Sequence, residues 1–397
     1  MKILITTDWY SPAVNGVVTS VLNLKKQLEE QGHEVRVLTL AQAGKDGAKH
    51  GICPFRQEGN VWYLSSFGVG RIYPGARLLA GSSRGTVREM VDWKPDVVHS
   101  QCEFVTFGLA KRIAKKTGAR FLHTYHTVYE DYTHYFSPSR AFGRKQAAWF
   151  SRQVLKSVDG VIVPTEKVKN LLESYGVVKP IFTVPTGIDC DRFAAAHLEA
   201  GSKAMDAPSL VSVGRLAKEK NLEEIVSWLA CPRGQQYSWL IVGDGPCREA
   251  LENQVKRLGL EERVFFAGMV KPEQVARWYQ KGRVFVSASE SETQGLTYLE
   301  ALAGGIPAVC RKDPCLDGVI ENGRNGWQYR NKTEFFDALE KLAYPGAYYE
   351  MSRQAQVMAA KFDQKIFGKR VLEAYLSVRA EEVPALSLLT MAMRKTM

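Results

Sequence analysis

The sequence predicts an α/β protein built from two doubly wound, Rossmann-like halves that face one cleft. Three observations carry this. Short buried-strand patterns occur in two series, and helical patterns separate the strands within each series. The first series opens strand, loop, helix, strand, the start of a parallel sheet. The chain has 397 residues, too many for one ordinary core and enough for two domains of roughly 200 residues each.

The first strand is Lys2–Thr7. It runs into a loop over residues 10–18 with Gly16 at its apex. Val21, Leu22, Leu24 and Leu28 give a helical stripe, which Gly32 stops. Residues 35–40 form the second strand, and further strands are expected at 61–64, 97–99, 120–123 and 161–163. The second series has strands at 209–214, 239–243, 264–266 and 284–286. The polar stretch near 191–208 is the expected linker, so the domains are placed at 1–195 and 205–375, with a tail at 376–397. The end of that tail, 383–397, is apolar and then basic, which suits docking on a domain or resting on a membrane.

Composition narrows the function classes. No apolar run reaches the roughly 18 residues that a membrane span needs. MKILITTDWY has no basic, apolar and cleavage regions in succession, so it is not expected to be a signal peptide. The seven Cys are scattered without a CxxC, which suggests free thiols in a reducing cytoplasm and no metal site. The net charge of +11 is local: residues 68–156 hold 15 basic and 6 acidic side chains. Nucleic acid or an anionic membrane surface fits such an excess, but no RRM, KH or helix-turn-helix signature accompanies it. No GxGxxG follows the first strand, which argues against a dinucleotide-dependent oxidoreductase.

Chemistry concentrates at strand ends. In GRLAKEKN, Arg215 and Lys220 follow a strand directly. Two cations there suit a diphosphate, although a surface turn with salt bridges gives the same pattern. Gly243 and Gly245 flank Asp244 in a tight turn after another strand, where small residues allow close approach of a ligand or simply a turn. In SASESETQGLTYLEALAGGIP, a strand precedes a polar loop and a helix N-terminus, the arrangement that welcomes an anion. Glu292 and Glu300 bracket this turn. Eight residues of helix rise about 12 Å, too far for a carboxylate pair flanking one glycosidic bond, which sits about 5–9.5 Å apart. Two grips on one long ligand fit better. In the first half, residues 121–132 end a strand with two His, two Thr and three Tyr, and His126 ranks ahead of His123 as a ligand.

GRLAKEKN, the VGDGP turn and the E-x7-E of Glu292 and Glu300 together resemble the family 4 retaining glycosyltransferases of GT-B fold. The Asn15–Val18 loop, VVHSQCEF and HTYHTVYEDYTHYF are similar to the bacterial diacylglycerol α-glucosyltransferases of that family. The resemblance implies a UDP-sugar as donor substrate and no permanently bound cofactor or metal. Gly16 would approach the donor phosphate; Arg215 and Lys220 would hold the diphosphate. Glu292 would bind the hexose and Glu300 the ribose, with backbone amides of Gly295, Leu296 and Thr297 on phosphate. His126 would contact the sugar near its 6-hydroxyl. Thr293-Gln294-Gly295-Leu296 stands where many relatives have a Phe-Gly pair. The implied reaction moves glucose from UDP-glucose to the 3-hydroxyl of 1,2-diacylglycerol, with retention, at the inner face of the cell membrane. A phosphatidylinositol mannosyltransferase or a polysaccharide glycosyltransferase is the alternative.

A lipid acceptor requires an enzyme at the interface. Residues 139–158 fit an amphipathic helix with Arg140 and Arg144 on one register and Trp149 elsewhere, and residues 65–88 mix Arg71 and Arg77 with apolar side chains. With Tyr129, these are the candidates for acceptor or anionic-lipid contact, although such helices also cover a Rossmann sheet. Nucleic acid is not expected as a partner.

Overall fold

A computed structural model describes residues 1–42, 51–69, 76–130, 139–200 and 209–378, without the side chains of 140, 141 and 200. The described chain falls into two compact units, Met1–Val184 with the segment from Phe367 onward, and Pro185–Ile366.

The sheet of the first unit has eight strands. Their order is Ile181–Thr183, Gly160–Val163, Arg120–Thr124, Val97–Ser100, Lys2–Thr7, Glu34–Leu40, Val61–Leu64 and Arg56–Glu58. All neighbours are parallel except the last pair. Strands buried on both faces read as continuous apolar runs, and Ile3, Leu4, Ile5, Val97, Val98, Ile162 and Val163 are fully buried. The chain runs outward from Lys2–Thr7 in one direction and restarts beside it at Val97–Ser100, so the topological switch lies between these two strands. Helix Gly16–Glu30 starts on an Asn15 cap, whose Oδ1 accepts from the Val18 N–H at 2.9 Å.

The sheet of the second unit has six parallel strands in the order Val264–Gly268, Ser238–Val242, Ser209–Val213, Val284–Ser287, Ala308–Arg311 and Gly326–Tyr329. Its switch lies between Ser209–Val213 and Val284–Ser287. Ligands bind outside the carboxyl ends of strands at such switches.

The expected linker is mostly not a linker. Cys190–Ala200 is a helix, and Phe193 and Ala196 are buried in the second unit against Tyr279 and Leu299. The first unit therefore ends at Val184 rather than at 195. The division at 375 also moves. Helix Gln364–Ser377 returns to the first unit, where Phe367, Val371, Ala374 and Tyr375 join the cluster formed by Ile3, Ile5, Leu24 and Leu122. The tail segment 383–397 lies outside the described residues.

A small antiparallel sheet of Ile52–Cys53, Ser66–Gly68 and Arg77–Leu79 completes the first unit. It corrects the surface role expected for Arg77, which is 8% exposed. Its guanidinium donates to Ser66 Oγ, Gly51 O, Ser66 O and the Cys53 sulfur. Arg77 holds this sheet together from inside. Arg71 lies outside the described residues.

Candidate functional site

The second unit assembles its polar residues at its switch point. Strand Ser209–Val213 ends just before Arg215, which is exposed. The short 3-10 turn Lys218–Lys220 follows and is clipped to the loop after Val284–Ser287: Glu290 N–H donates to Glu219 O, and Ser289 Oγ to the same oxygen. The clip brings Lys220 Nζ within 2.5 Å of Glu292 Oε1. Glu292 is 8% exposed, so the cation meets it on a mostly buried carboxylate. Breaking one side of such a pair leaves an uncompensated charge and costs about 3–5 kcal/mol when fully buried; the part-exposed lysine reduces that here.

Helix Leu296–Ala303 begins at Gly295, whose φ of +77° is left-handed and which makes no side-chain cap bond. The helix starts four residues after Glu292, so the eight-residue helical separation assumed for the two Glu does not hold: Glu292 stands on the loop and Glu300 on the helix. They face different partners. Glu300 accepts from the Tyr279 hydroxyl at 2.8 Å, and burial raises its carboxyl pKa, with the Tyr279 hydrogen bond and Arg192 opposing. The Tyr279 hydroxyl also reaches the Thr297 carbonyl at 3.1 Å. Tyr298 bonds Ser287 Oγ at 2.7 Å and fixes the helix to the strand before it. Gln294, in the departing part of the motif, spans the Thr186 backbone with its amide, accepting from the N–H and donating to the carbonyl, both at 2.9 Å.

The glycines of the GDG turn serve the protein itself. A Cβ on Gly243 would lie 1.8 Å from the Gly214 carbonyl oxygen, and one on Gly245 would lie 2.3 Å from the Leu216 carbonyl oxygen. Leu216 N–H donates to Asp244 O, and Cys247 N–H to Leu216 O. The close approach is between two backbone loops, and it seats Arg215 at its strand end.

In the first unit, polar side chains crowd its own switch. Asp8, just past strand Lys2–Thr7, accepts from Val105 N–H at 3.1 Å and Thr106 N–H at 2.8 Å, the N-terminus of helix Val105–Thr117. His123 is fully buried, with Nε2 3.2 Å from Glu103 Oε1. The other Glu103 oxygen accepts from the Tyr129 hydroxyl at 2.7 Å. His126 is partly exposed, with Nε2 2.8 Å from Gln101 Oε1. Burial holds its pKa down to about 4, so it is neutral at pH 7. His123 is thus a buried partner of Glu103 and His126 the accessible ring. Asp8, Gln101 and Glu103 escaped the sequence reasoning. The criterion applied to His126, a polar group just past a predicted strand, selects all three.

Gly16 is exposed at the first position of its helix. On helix Arg140–Leu155, Ala147, Ser151, Val154 and Leu155 face the core, while Phe142 and Trp149 are 56% and 59% exposed. Arg144 is exposed and pairs with Glu130 at 3.2 Å. Among the described residues no cluster of metal-ligating side chains occurs, and no helix is long and apolar enough to cross a membrane.

Two Rossmann-like domains, each with charged groups at its switch, are the parts of the GT-B fold, and the family and relatives that the chain matches make it a hexosyltransferase. The chain belongs to glycosyltransferase family 4: residues 14–192 match the model described as Glycosyltransferase Family 4, and residues 195–360 match Glycosyl transferases group 1. It is 32% identical over 388 residues, 95% of this chain and 86% of the relative, to the alpha-monoglucosyldiacylglycerol synthase of Streptococcus pneumoniae (strain ATCC BAA-255 / R6). It is 31% identical to the protein of the same name from Acholeplasma laidlawii, covering 95% of this chain and 97% of that one. Among solved structures, Anabaena Alr3699/HepE in complex with UDP-glucose shares the fold, with a TM-score of 0.71 at 16% identity over 95% of this chain and 100% of that one.

Proposed function

We propose that this enzyme transfers glucose from UDP-glucose to the 3-hydroxyl of 1,2-diacylglycerol, with retention, as a peripheral protein on the inner face of the cell membrane. The observation that carries the acceptor is the similarity to two alpha-monoglucosyldiacylglycerol synthases over 95% of the chain. The donor follows from the switch of the second unit. Arg215 and Lys220 bind the diphosphate, and the N–H groups of Gly295, Leu296 and Thr297 add to them. Glu292 holds the hexose and Glu300 the ribose hydroxyls. As UDP departs, the cations stabilise the charge on its phosphate. The acceptor hydroxyl attacks the face that UDP leaves, and a leaving phosphate oxygen takes its proton, so no enzymic nucleophile is required. Gly243 and Gly245 act through the loop that carries Arg215. Gly16 leaves room beside the donor phosphate, and His126 takes a hydrogen bond from a substrate hydroxyl. Tyr129, Arg140, Arg144 and Trp149 contact the acceptor or anionic lipids.

The test is a panel of UDP- and GDP-sugars offered with diacylglycerol in mixed micelles, followed by NMR of the product. Glucose transfer from UDP-glucose giving an α-linked glycolipid supports the reading. Transfer only from a GDP-sugar, or only to a soluble acceptor, overturns it.

A further inference from the structure

The hydrogen bond between Gln101 and His126 belongs to a buried chain that runs through His99 to the last helix. His99 is fully buried. Its Nδ1 lies 2.7 Å from the Tyr375 hydroxyl and its Nε2 lies 2.7 Å from Thr124 Oγ1. Both in-plane nitrogens are therefore engaged. The Gln101 amide nitrogen lies 3.2 Å from Nδ1 and 3.1 Å from Nε2 of the same ring. A point so close to both within the ring plane would collide with Cε1. The amide nitrogen therefore sits over the ring face.

That position orients the amide. The face of a neutral aromatic ring is negative; it attracts N–H and repels a carbonyl oxygen. Burial holds His99 well below the ordinary histidine range, with His123 and His126 adding to the effect, so the ring is neutral. The NH2 group belongs on His99, and Oε1 is left pointing at His126 Nε2. An oxygen there accepts only from a protonated Nε2.

We propose that Gln101 is the positioning residue that fixes the tautomer of His126, placing the proton on Nε2 and leaving Nδ1 as an acceptor for a substrate hydroxyl, with His99 and Tyr375 setting the orientation of the Gln101 amide. No described residue bonds Nδ1. The part concerning substrate rests on the proposed function; the tautomer itself does not. Of the titratable groups facing His126, Glu103 raises its pKa and His123 lowers it, and His99 interacts with it as well. Gln101 adds direction where these add only charge. Tyr375 makes the last helix part of the arrangement, since its hydroxyl occupies the nitrogen on which the amide would otherwise compete.

The experiment is two-bond proton–nitrogen NMR on the full-length protein labelled with 15N-histidine, with His126 assigned from a His126→Asn sample. The expected signal at pH 7 is a single Nε2–H tautomer. A protonated Nδ1, or a rapidly averaging mixture, overturns the proposal, and neither result needs the enzyme to be active. Gln101→Glu places an anion on the Nε2 proton and is expected to bring both nitrogens into the protonated form near neutral pH. In that variant kcat/KM for the sugar donor falls about tenfold at pH 6 and recovers toward pH 8. Tyr375→Phe is expected to leave folding intact and produce a tautomer mixture; an unchanged single tautomer removes Tyr375 from the scheme. If the tautomer is found but no donor–acceptor pair is turned over, the functional reading fails and the positioning role stands.

Discussion

Lys220 and Glu292 meet at 2.5 Å across the switch of the second unit, although 72 residues separate them in sequence. The lysine comes from the loop after one strand and the carboxylate from the loop after its neighbour. Two loops clipped by backbone bonds at Glu219 and Glu290 thus bring a cation and an anion to one point. A diphosphate needs the first and a hexose hydroxyl the second, so this pair is the core of the donor proposal.

Glu292→Gln is expected to lower kcat for glucose transfer at least a hundredfold while the thermal midpoint stays within a few degrees. Steady-state rates with UDP-glucose measure the first and differential scanning fluorimetry the second. Near-normal turnover in Glu292→Ala would remove that residue from the chemistry.

Glu300 and Tyr279 are expected to act on nucleotide binding. Glu300→Gln replaces one of the two acceptor oxygens proposed for the ribose hydroxyls with an NH2 group and should weaken UDP binding about tenfold by calorimetry. Tyr279→Phe leaves the Glu300 carboxylate without its donor and should lower stability by about 1–2 kcal/mol in urea titrations. UDP affinity unchanged in both variants would contradict the placement of the ribose.

Gly243→Ala tests whether the GDG turn serves the fold. A methyl group 1.8 Å from the Gly214 oxygen forces the two loops apart, at a cost of about 3 kcal/mol or more. Urea unfolding should show the loss without any donor present. Unchanged stability with lost donor affinity would mean that the glycine admits ligand and not backbone.

Stability should depend on pH through His126 and the buried His99. Burial holds His126 at about 4 and His99 well below the ordinary value of 6.5. Between those values the unfolded chain takes up protons that the folded chain refuses. The neutral rings therefore cost nothing above about pH 6.5, and stability falls as pH drops toward 4, by about 3 kcal/mol for His126 alone. Glu300, raised by burial, works in the opposite sense below neutrality. Urea unfolding at pH 7 and pH 4.5 should show the fall, and His126→Gln should flatten it.

Membrane association should respond to Trp149 and Arg144, not to Arg77. Trp149→Ala with Arg144→Ala is expected to reduce retention on anionic vesicles severalfold, with the arginine part vanishing in high salt. Arg77→Ala should instead lower the thermal midpoint, because it strips the small sheet of its internal donor. Binding to vesicles that is indifferent to salt would end the electrostatic part of this account.

The ten strands read from the sequence are all present, because most are parallel strands buried on both faces, which advertise themselves as apolar runs. The short strands Ile181–Thr183 and Gly326–Tyr329 were missed because each is brief and only partly apolar. The helix Cys190–Ala200 was hidden because Asp191, Arg192, Glu199 and the alanines look solvated, while only Phe193 and Ala196 need burial. In the site, Arg215, Lys220, Glu292 and Glu300 were legible from position after a strand or on the helix that follows. Gln101 and Glu103 meet the same criterion, but their roles, like that of Tyr375, depend on partners from 25 to 276 residues away that the sequence does not show. Arg77 looked like a surface cation because sequence records its charge and not the carbonyls that surround it.

The return of helix Gln364–Ser377 to the first unit has a consequence for synthesis on the ribosome. The first unit begins at Met1 yet remains short of Phe367, Val371 and Tyr375 until nearly the whole described chain has been made. The second unit holds all its own strands by Tyr329 and is complete by Ile366. The half translated first therefore finishes last. Until then Ile3, Ile5 and Leu24 lack their cover, and a nascent chain stalled near residue 360 would present that bare surface to chaperones, whereas one released after residue 378 would not.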